Sequence, residues 1–160
     1  MRPFLLTCWA AGAAVVGLAG GLAAQVSLTL SGTPNVFAAP ALADFNAGVI
    51  ANPTGIVYTV NVTGGSTTTS RTSIVSIRAS SATLGGGKLL SDLQWRRSDL
   101  VTWNPMTTTN ATIESRTVRR NGTNDPWNNT VFLQMLLHWA TDAPATYTTG
   151  RVFTLTITTP

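Results

Sequence analysis

Beyond residue 24 the chain alternates apolar and polar side chains with a period of two, and Val, Ile and Thr dominate, which predicts strands. Val26, Leu28 and Leu30 alternate with Ser27 and Thr29 until Ser31-Gly32-Thr33-Pro34 ends the run. Ile56, Tyr58, Val60 and Val62 alternate with Val57, Thr59, Asn61 and Thr63, and Gly64-Gly65 closes this second strand. Thr72 to Ser80 offers two faces, Ile74, Ser76 and Arg78 against Val75, Ile77 and Ala79, and the second set is the one expected to be buried. Gly85-Gly86-Gly87 leads into a strand from Lys88 to Trp95, on which Val101 to Trp103 is expected to pair back. Further strands are predicted at Thr112 to Val118, Thr130 to Ala140 and Val152 to Thr158. Residues Val131 to Trp139 are apolar on nearly both faces, so their strand should be central in its sheet. Its inward set is expected to be Val131, Leu133, Met135, Leu137 and Trp139, meeting Phe153, Leu155 and Ile157 or Tyr58 and Val60. Pro34 to Pro53 lacks a clear period and reads as a long crossing loop with one helical turn around Ala41 to Phe45.

About seven short strands with turn signals between them, and no long amphipathic helix, predict an all-β domain: a single antiparallel β-sandwich, immunoglobulin-like in architecture. Its span is residues 25–160, enough to bury a core without staples. The preceding residues 1–24 have another character. Arg2 is followed by an apolar run from Phe4 to Leu22, relieved by Thr7 and small residues, and the run exits through Leu22-Ala23-Ala24-Gln25. That is the pattern of a cleavable signal peptide helix, with cleavage after Ala24 and a mature chain that works at the cell surface, in the periplasm or outside the cell. Membrane contact is then expected only through this segment before cleavage. Cys8, the single cysteine, lies near the start of the apolar run and not after it, which argues against a lipid anchor. An exported domain without a thiol must draw its stability from sheet packing.

Ten basic residues less Arg2 leaves nine against six acidic, a net +3 for residues 25–160, and eight of the nine are arginines. The only clusters, Arg96-Arg97 and Arg116 to Arg120, form neither a long basic helix nor an aromatic RNA-binding motif, so no nucleic-acid partner is expected. The inventory for catalysis is thin: His138, six carboxylates and no cysteine downstream of residue 24. No cofactor or metal is expected. Asp92 and Asp99 could oppose one another across a hairpin as the paired carboxylates of a glycosidase, and a small hydrolase would use Asp92, Asp99 or His138. Local pairing with Arg96 and Arg97 is the plainer reading of both. The Asn/Asp-rich loop 121–129 supplies oxygen ligands of the kind calcium takes, in residues that are equally the best turn formers. Trp95, Trp103 and Trp127 fall in or beside loops with Arg, Asn and Asp neighbours, the setting in which aromatic plates hold sugar rings, and also the setting of tryptophans that plug a sandwich end.

The segment Trp139-Ala140-Thr141-Asp142-Ala143-Pro144-Ala145-Thr146-Tyr147, followed by Val152 to Thr158, resembles the end of the spore coat protein U-like and related fimbrial domains. The resemblance covers about the last twenty residues, and those families commonly carry a cysteine pair that this chain lacks. It implies a sandwich that polymerises by strand donation, with no catalytic residue. The donor would be the first strand, Val26, Leu28 and Leu30, although pairing within its own domain is the default for a compact fold. Together these features predict an exported non-enzymatic bacterial surface, coat or fibre protein whose partners are itself, related surface subunits or a polysaccharide. A carbohydrate-binding module and a small secreted hydrolase are the alternatives.

Overall fold

A computed structural model describes residues 25–32, 36–63, 67–84, 88–123, 125–142, 147–148 and 151–158. The expected signal peptide therefore lies outside the described residues. Among those described, the chain is all-β apart from one α-helix and one short 3-10 turn, and its sheets are antiparallel and open. In chain order the elements are β1 (Gln25–Gly32), β2 (Val36–Phe37), α1 (Leu42–Ala47), β3 (Val49–Thr63), β4 (Arg71–Ala79), a 3-10 turn (Leu90–Asp92), β5 (Leu93–Arg97), β6 (Asn104–Pro105), β7 (Ala111–Val118), β8 (Trp127–Leu136), β9 (Tyr147–Thr148) and β10 (Arg151–Thr158). One five-stranded sheet runs β1-β3-β8-β5-β6, a three-stranded sheet runs β10-β4-β7, and β2 pairs with β9.

The near-continuous apolar run does form an interior strand: β8 lies between β3 and β5. Val131, Leu133, Met135 and Leu137 are buried as its period of two requires. Trp139 departs from the expectation, being 60% exposed. The cause is local. Strand β8 stops at Leu136, and a turn closes when Thr141 N and Asp142 N both donate to the His138 carbonyl, so the alternation ends before Trp139. Its ring rests against Phe45 of α1, centroids 5.0 Å apart.

The aperiodic stretch before residue 56 is only partly a loop. A helical turn forms at Leu42–Ala47, with Asp44 accepting a hydrogen bond from Ala41 N at 2.8 Å and Gly48 ending it in the left-handed conformation. Strand β3 then begins at Val49, seven residues earlier than the alternation predicts. Pro53 and Gly55 hid this, since they read as turn formers. Here they occupy a bulge, where the β3–β8 register jumps between Asn52 and Ile56. Gly55 has φ 68°, and a Cβ there would lie 2.6 Å from the Thr130 methyl, so only glycine fits.

Strand β4 buries Val75, Ile77 and Ala79 as predicted. The segment expected to be a strand from Lys88 is instead a 3-10 turn leading into β5, and the strand that pairs back on β5 is Asn104–Pro105, just beyond Val101 to Trp103. One apolar cluster draws Tyr58, Val60 and Val62 from β3, Leu93 and Trp95 from β5, Trp127, Leu133 and Met135 from β8, Val75 and Ile77 from β4, and Ile113 from β7. It thus takes side chains from both larger sheets. Of β10 the backbone pairing with β4 is described and its side chains are not, so the expected contacts of Phe153, Leu155 and Ile157 lie outside the described residues.

Candidate functional site

Two polar clusters interrupt the apolar interior. The first gathers around Lys88, the single lysine of the chain, whose side chain is fully enclosed. Residues 88–92 lead into β5 while 137–142 leave β8, and β5 and β8 are antiparallel neighbours with Leu93 opposite Met135. Both segments therefore meet at one end of the sheet. The 3-10 turn, in which Asp92 N donates to Leu89 O, curls Asp92 back so that its Oδ2 lies 3.1 Å from Lys88 Nζ. From the other side Asp142 Oδ2 contacts Lys88 Nζ directly and also accepts from His138 N at 2.7 Å. His138 Nε2 stands 3.6 Å from Asp92 Oδ1, with the imidazole about half exposed. Burial works to raise the Asp142 carboxyl, but the Lys88 hydrogen bond, the His138 N–H and the nearby cations outweigh it and hold the group below the usual carboxylate range. A lone buried ammonium would be very costly, and the two carboxylates offset that cost.

The second cluster joins the two larger sheets. Tyr58 OH on β3 donates to Glu114 Oε2 on β7, and Arg116 Nε donates to Glu114 Oε1 at 2.6 Å. Arg97 Nη1 stands 3.7 Å from Glu114 Oε2 and donates to Ile113 O at 3.3 Å. Trp127 packs edge-on to Tyr58 at 6.0 Å and carries the Arg116 guanidinium over its ring at 5.0 Å. Burial pushes the Tyr58 phenol well above the ordinary tyrosine range, and the Glu114 carboxylate beside it adds to the shift, against the weaker pull of Arg97 and Arg116. A pKa raised on folding contributes stability that is complete below the unfolded value of 10.0 and is lost as pH rises through the folded value. Stability should therefore decline above about pH 10. In alkaline titration followed by phenolate absorbance, Tyr58 should ionise only together with unfolding; a Tyr58 signal developing at ordinary tyrosine pH in the native protein would show the contact with Glu114 to be absent.

The residues singled out from sequence are distributed between and around these clusters. Asp92 and His138 do come together, at Lys88. Asp99 does not join them: it follows β5 where Asp92 precedes it, and it is bound by Arg97 through Nε at 2.5 Å and Nη2 at 2.8 Å. The Arg97 hydrogen bonds hold the Asp99 carboxyl below its usual range. No hairpin sets Asp92 against Asp99. Trp95 and Trp127 are 5% and 2% exposed, with their indole nitrogens enclosed, so neither offers a ring face to a sugar. They are core residues. Trp103 is half-buried, and its ring stacks on Arg96, which lies 5.0 Å from both the Trp103 and Phe132 centroids. In loop 121–129, Asp125 accepts from Val62 N at 2.9 Å and Asn121 N at 2.8 Å, which ties the loop to β3. Val26, Leu28 and Leu30 lie on β1, paired with β3 of the same chain from Gln25 opposite Thr63 to Gly32 opposite Ile56. Val26 and Leu28 pack against the core while Leu30 is exposed.

Lys88, Asp142 and Glu114 are the participants that sequence reasoning passed over. The one available signal was composition, since a lone lysine in an arginine-rich chain is conspicuous. Comparison with family models, with curated proteins and with solved structures finds no match. Residues 143–146, within the segment for which a likeness to the spore coat protein U-like domains is expected, lie outside the described residues.

Proposed function

We propose that the protein is an exported, non-enzymatic β-sandwich that serves as a surface, coat or fibre component, its two larger sheets packed face to face over the shared core. One observation carries this reading: all six carboxylates are engaged within the fold. Asp44 caps α1, Asp92 and Asp142 hold Lys88, Asp99 holds Arg97, Glu114 holds Tyr58 and Arg116, and Asp125 holds two backbone amides. A hydrolase needs at least one carboxylate or base turned toward an open cleft. Of the groups considered for that role, Asp99 and His138 are each about half exposed, but Asp99 is held by the Arg97 guanidinium and the carboxylate beside His138 also holds Lys88.

The likeness of residues 139–158 to coat and fimbrial domains supports assembly with copies of itself or with related subunits. Among the described residues β1 ends its sheet, with β3 as its one paired strand, and edge strands are templates for pairing with another chain. Fractionation of the producing cell tests the reading. The chain should be recovered in a sedimentable, surface-associated form, with its N-terminus at or near Gln25. Recovery solely as a free monomer across a wide concentration range would sink it.

A further inference from the structure

We infer that Lys88 and Asp142 are joined by an intramolecular amide bond that the fold itself promotes, with Asp92 carrying the proton. The reacting groups are already in contact: Lys88 Nζ meets Asp142 Oδ2, and a second carboxylate, Asp92 Oδ2, stands 3.1 Å from the same nitrogen. The lysine side chain has no exposure and those of Asp142 and Asp92 have 6% and 12%. Both carboxylates balance the buried ammonium, and their placement about one nitrogen has a second consequence. Asp92, beside the same nitrogen as Asp142, supplies what condensation needs, a base in contact with the nucleophile.

The balance of the step is simple. The resting pair is ionic, and the reaction starts from its minor neutral form, reached when one proton passes from Lys88 Nζ to the Asp142 oxygen it touches. Nζ then forms a bond to Asp142 Cγ. Asp92 accepts a second proton from Nζ and delivers it to the departing hydroxyl, the C–O bond breaks, and one water leaves. Ammonium and carboxylate are consumed, amide and water are produced, and Asp92 ends as it began, with no oxidant or reductant. Fixing the partners in contact supplies the effective concentration that makes such a condensation feasible. The Asp142 Oδ2 that touches Nζ takes the proton and departs as water, and His138 N, which donates to the same oxygen at 2.7 Å, holds the carboxyl in position for attack.

The bond would close a loop between positions 54 residues apart and tie the entry of β5 to the exit of β8. It restrains the unfolded chain as a disulfide does, in a chain whose only cysteine is Cys8. Its value to a surface or fibre protein rests on the proposed function, whereas its existence does not. The test is independent of localisation.

The full chain, expressed with its own N-terminal segment, is analysed by intact mass spectrometry. The expected mass is one water below that of the sequence counted from the N-terminus observed in the same sample. After denaturation an amine-reactive reagent should leave Lys88 unlabelled, and digestion should yield a branched peptide joining Lys88 to Asp142. An unaltered mass with Lys88 fully labelled after prolonged incubation of the folded protein overturns the inference, and so does a dehydrated chain without the branched peptide. Asp92→Asn should keep native circular dichroism and lose the link at least tenfold in rate, with Asp92→Glu restoring part of it. A folded Asp92→Asn variant that links at the normal rate removes Asp92 from the reaction. Should the variant not fold, the mass and labelling of the unaltered chain still decide whether the bond exists.

Discussion

Replacing Leu133 by alanine should lower the free energy of unfolding by about 2–5 kcal/mol, as truncation of a fully buried leucine does when its surroundings cannot collapse. Leu133 is 1% exposed on β8, with β3 on one side and β5 on the other. It stands opposite Trp95 in β5 and Asn52 in β3, so paired backbone on both flanks resists relaxation into the void. The branched end removed, a methine and two methyls, belongs to the same apolar cluster as Tyr58, Val60, Val75 and Ile77 from both sheets. Reversible denaturant unfolding of the variant measures the loss, with the midpoint expected to move and the slope to stay constant. A change below about 0.5 kcal/mol, the scale of ordinary surface substitutions, would place the β8 register one residue out.

Glu114→Ala should be of comparable size, about 3 kcal/mol, because it strips the acceptor from a buried hydroxyl and the counter-charge from two guanidinium groups. Tyr58 is fully enclosed and its hydroxyl donates to Glu114, so no water can replace the lost acceptor cheaply. Arg116 and Arg97 retain 36% and 18% side-chain exposure and can turn partly toward solvent, which keeps the cost below that of a fully sealed charge. A double-mutant cycle isolates the tyrosine's share. With Tyr58→Phe in place there is no orphaned hydroxyl, so the added cost of Glu114→Ala should shrink by about 1 kcal/mol or more. Equal costs in both backgrounds would show that Tyr58 and Glu114 do not interact. Asp99→Ala is the natural control, since its side chain is half exposed and screening leaves an exposed pair worth little.

Strand positions were the most legible part of this chain, and the reason is visible in particular residues. Val75, Ile77 and Ala79, or Val131, Leu133 and Met135, alternate strictly with residues of the opposite face, and burying one face demands that period. The unbroken apolar character of β8 likewise announced an interior strand, because its second face is covered as well: Arg96 lies over Phe132, and Gln134 is bonded to Gln94 at 2.7 Å. Local chemistry misled where a residue had two uses. Pro53 and Gly55 serve in a turn or in a bulge, and only the presence of β8 alongside makes them a bulge. Trp139 continues the alternation on paper, yet the His138 to Asp142 turn ends the strand before it. Tryptophans beside polar neighbours suit a sugar platform or a core, and Trp95 and Trp127 went to the core because each ring finds apolar partners from other strands.

The amino-acid sequence by itself determined the all-β class, the inward faces of β4 and β8, and the short helix near residue 42, since each follows from periodicity and turn chemistry within a dozen residues. The polar clusters were decided by tertiary structure alone. Lys88 and Asp142 are 54 positions apart, Tyr58 and Glu114 are 56 apart, and nothing near either partner in the chain signals the other. They meet because β5 lies against β8 and because β3 and β7 contribute to one core from different sheets. Periodicity states which side of a strand is buried. Which strands become neighbours, and so which buried charges find a counter-charge, is fixed only when all the faces compete for the same interior.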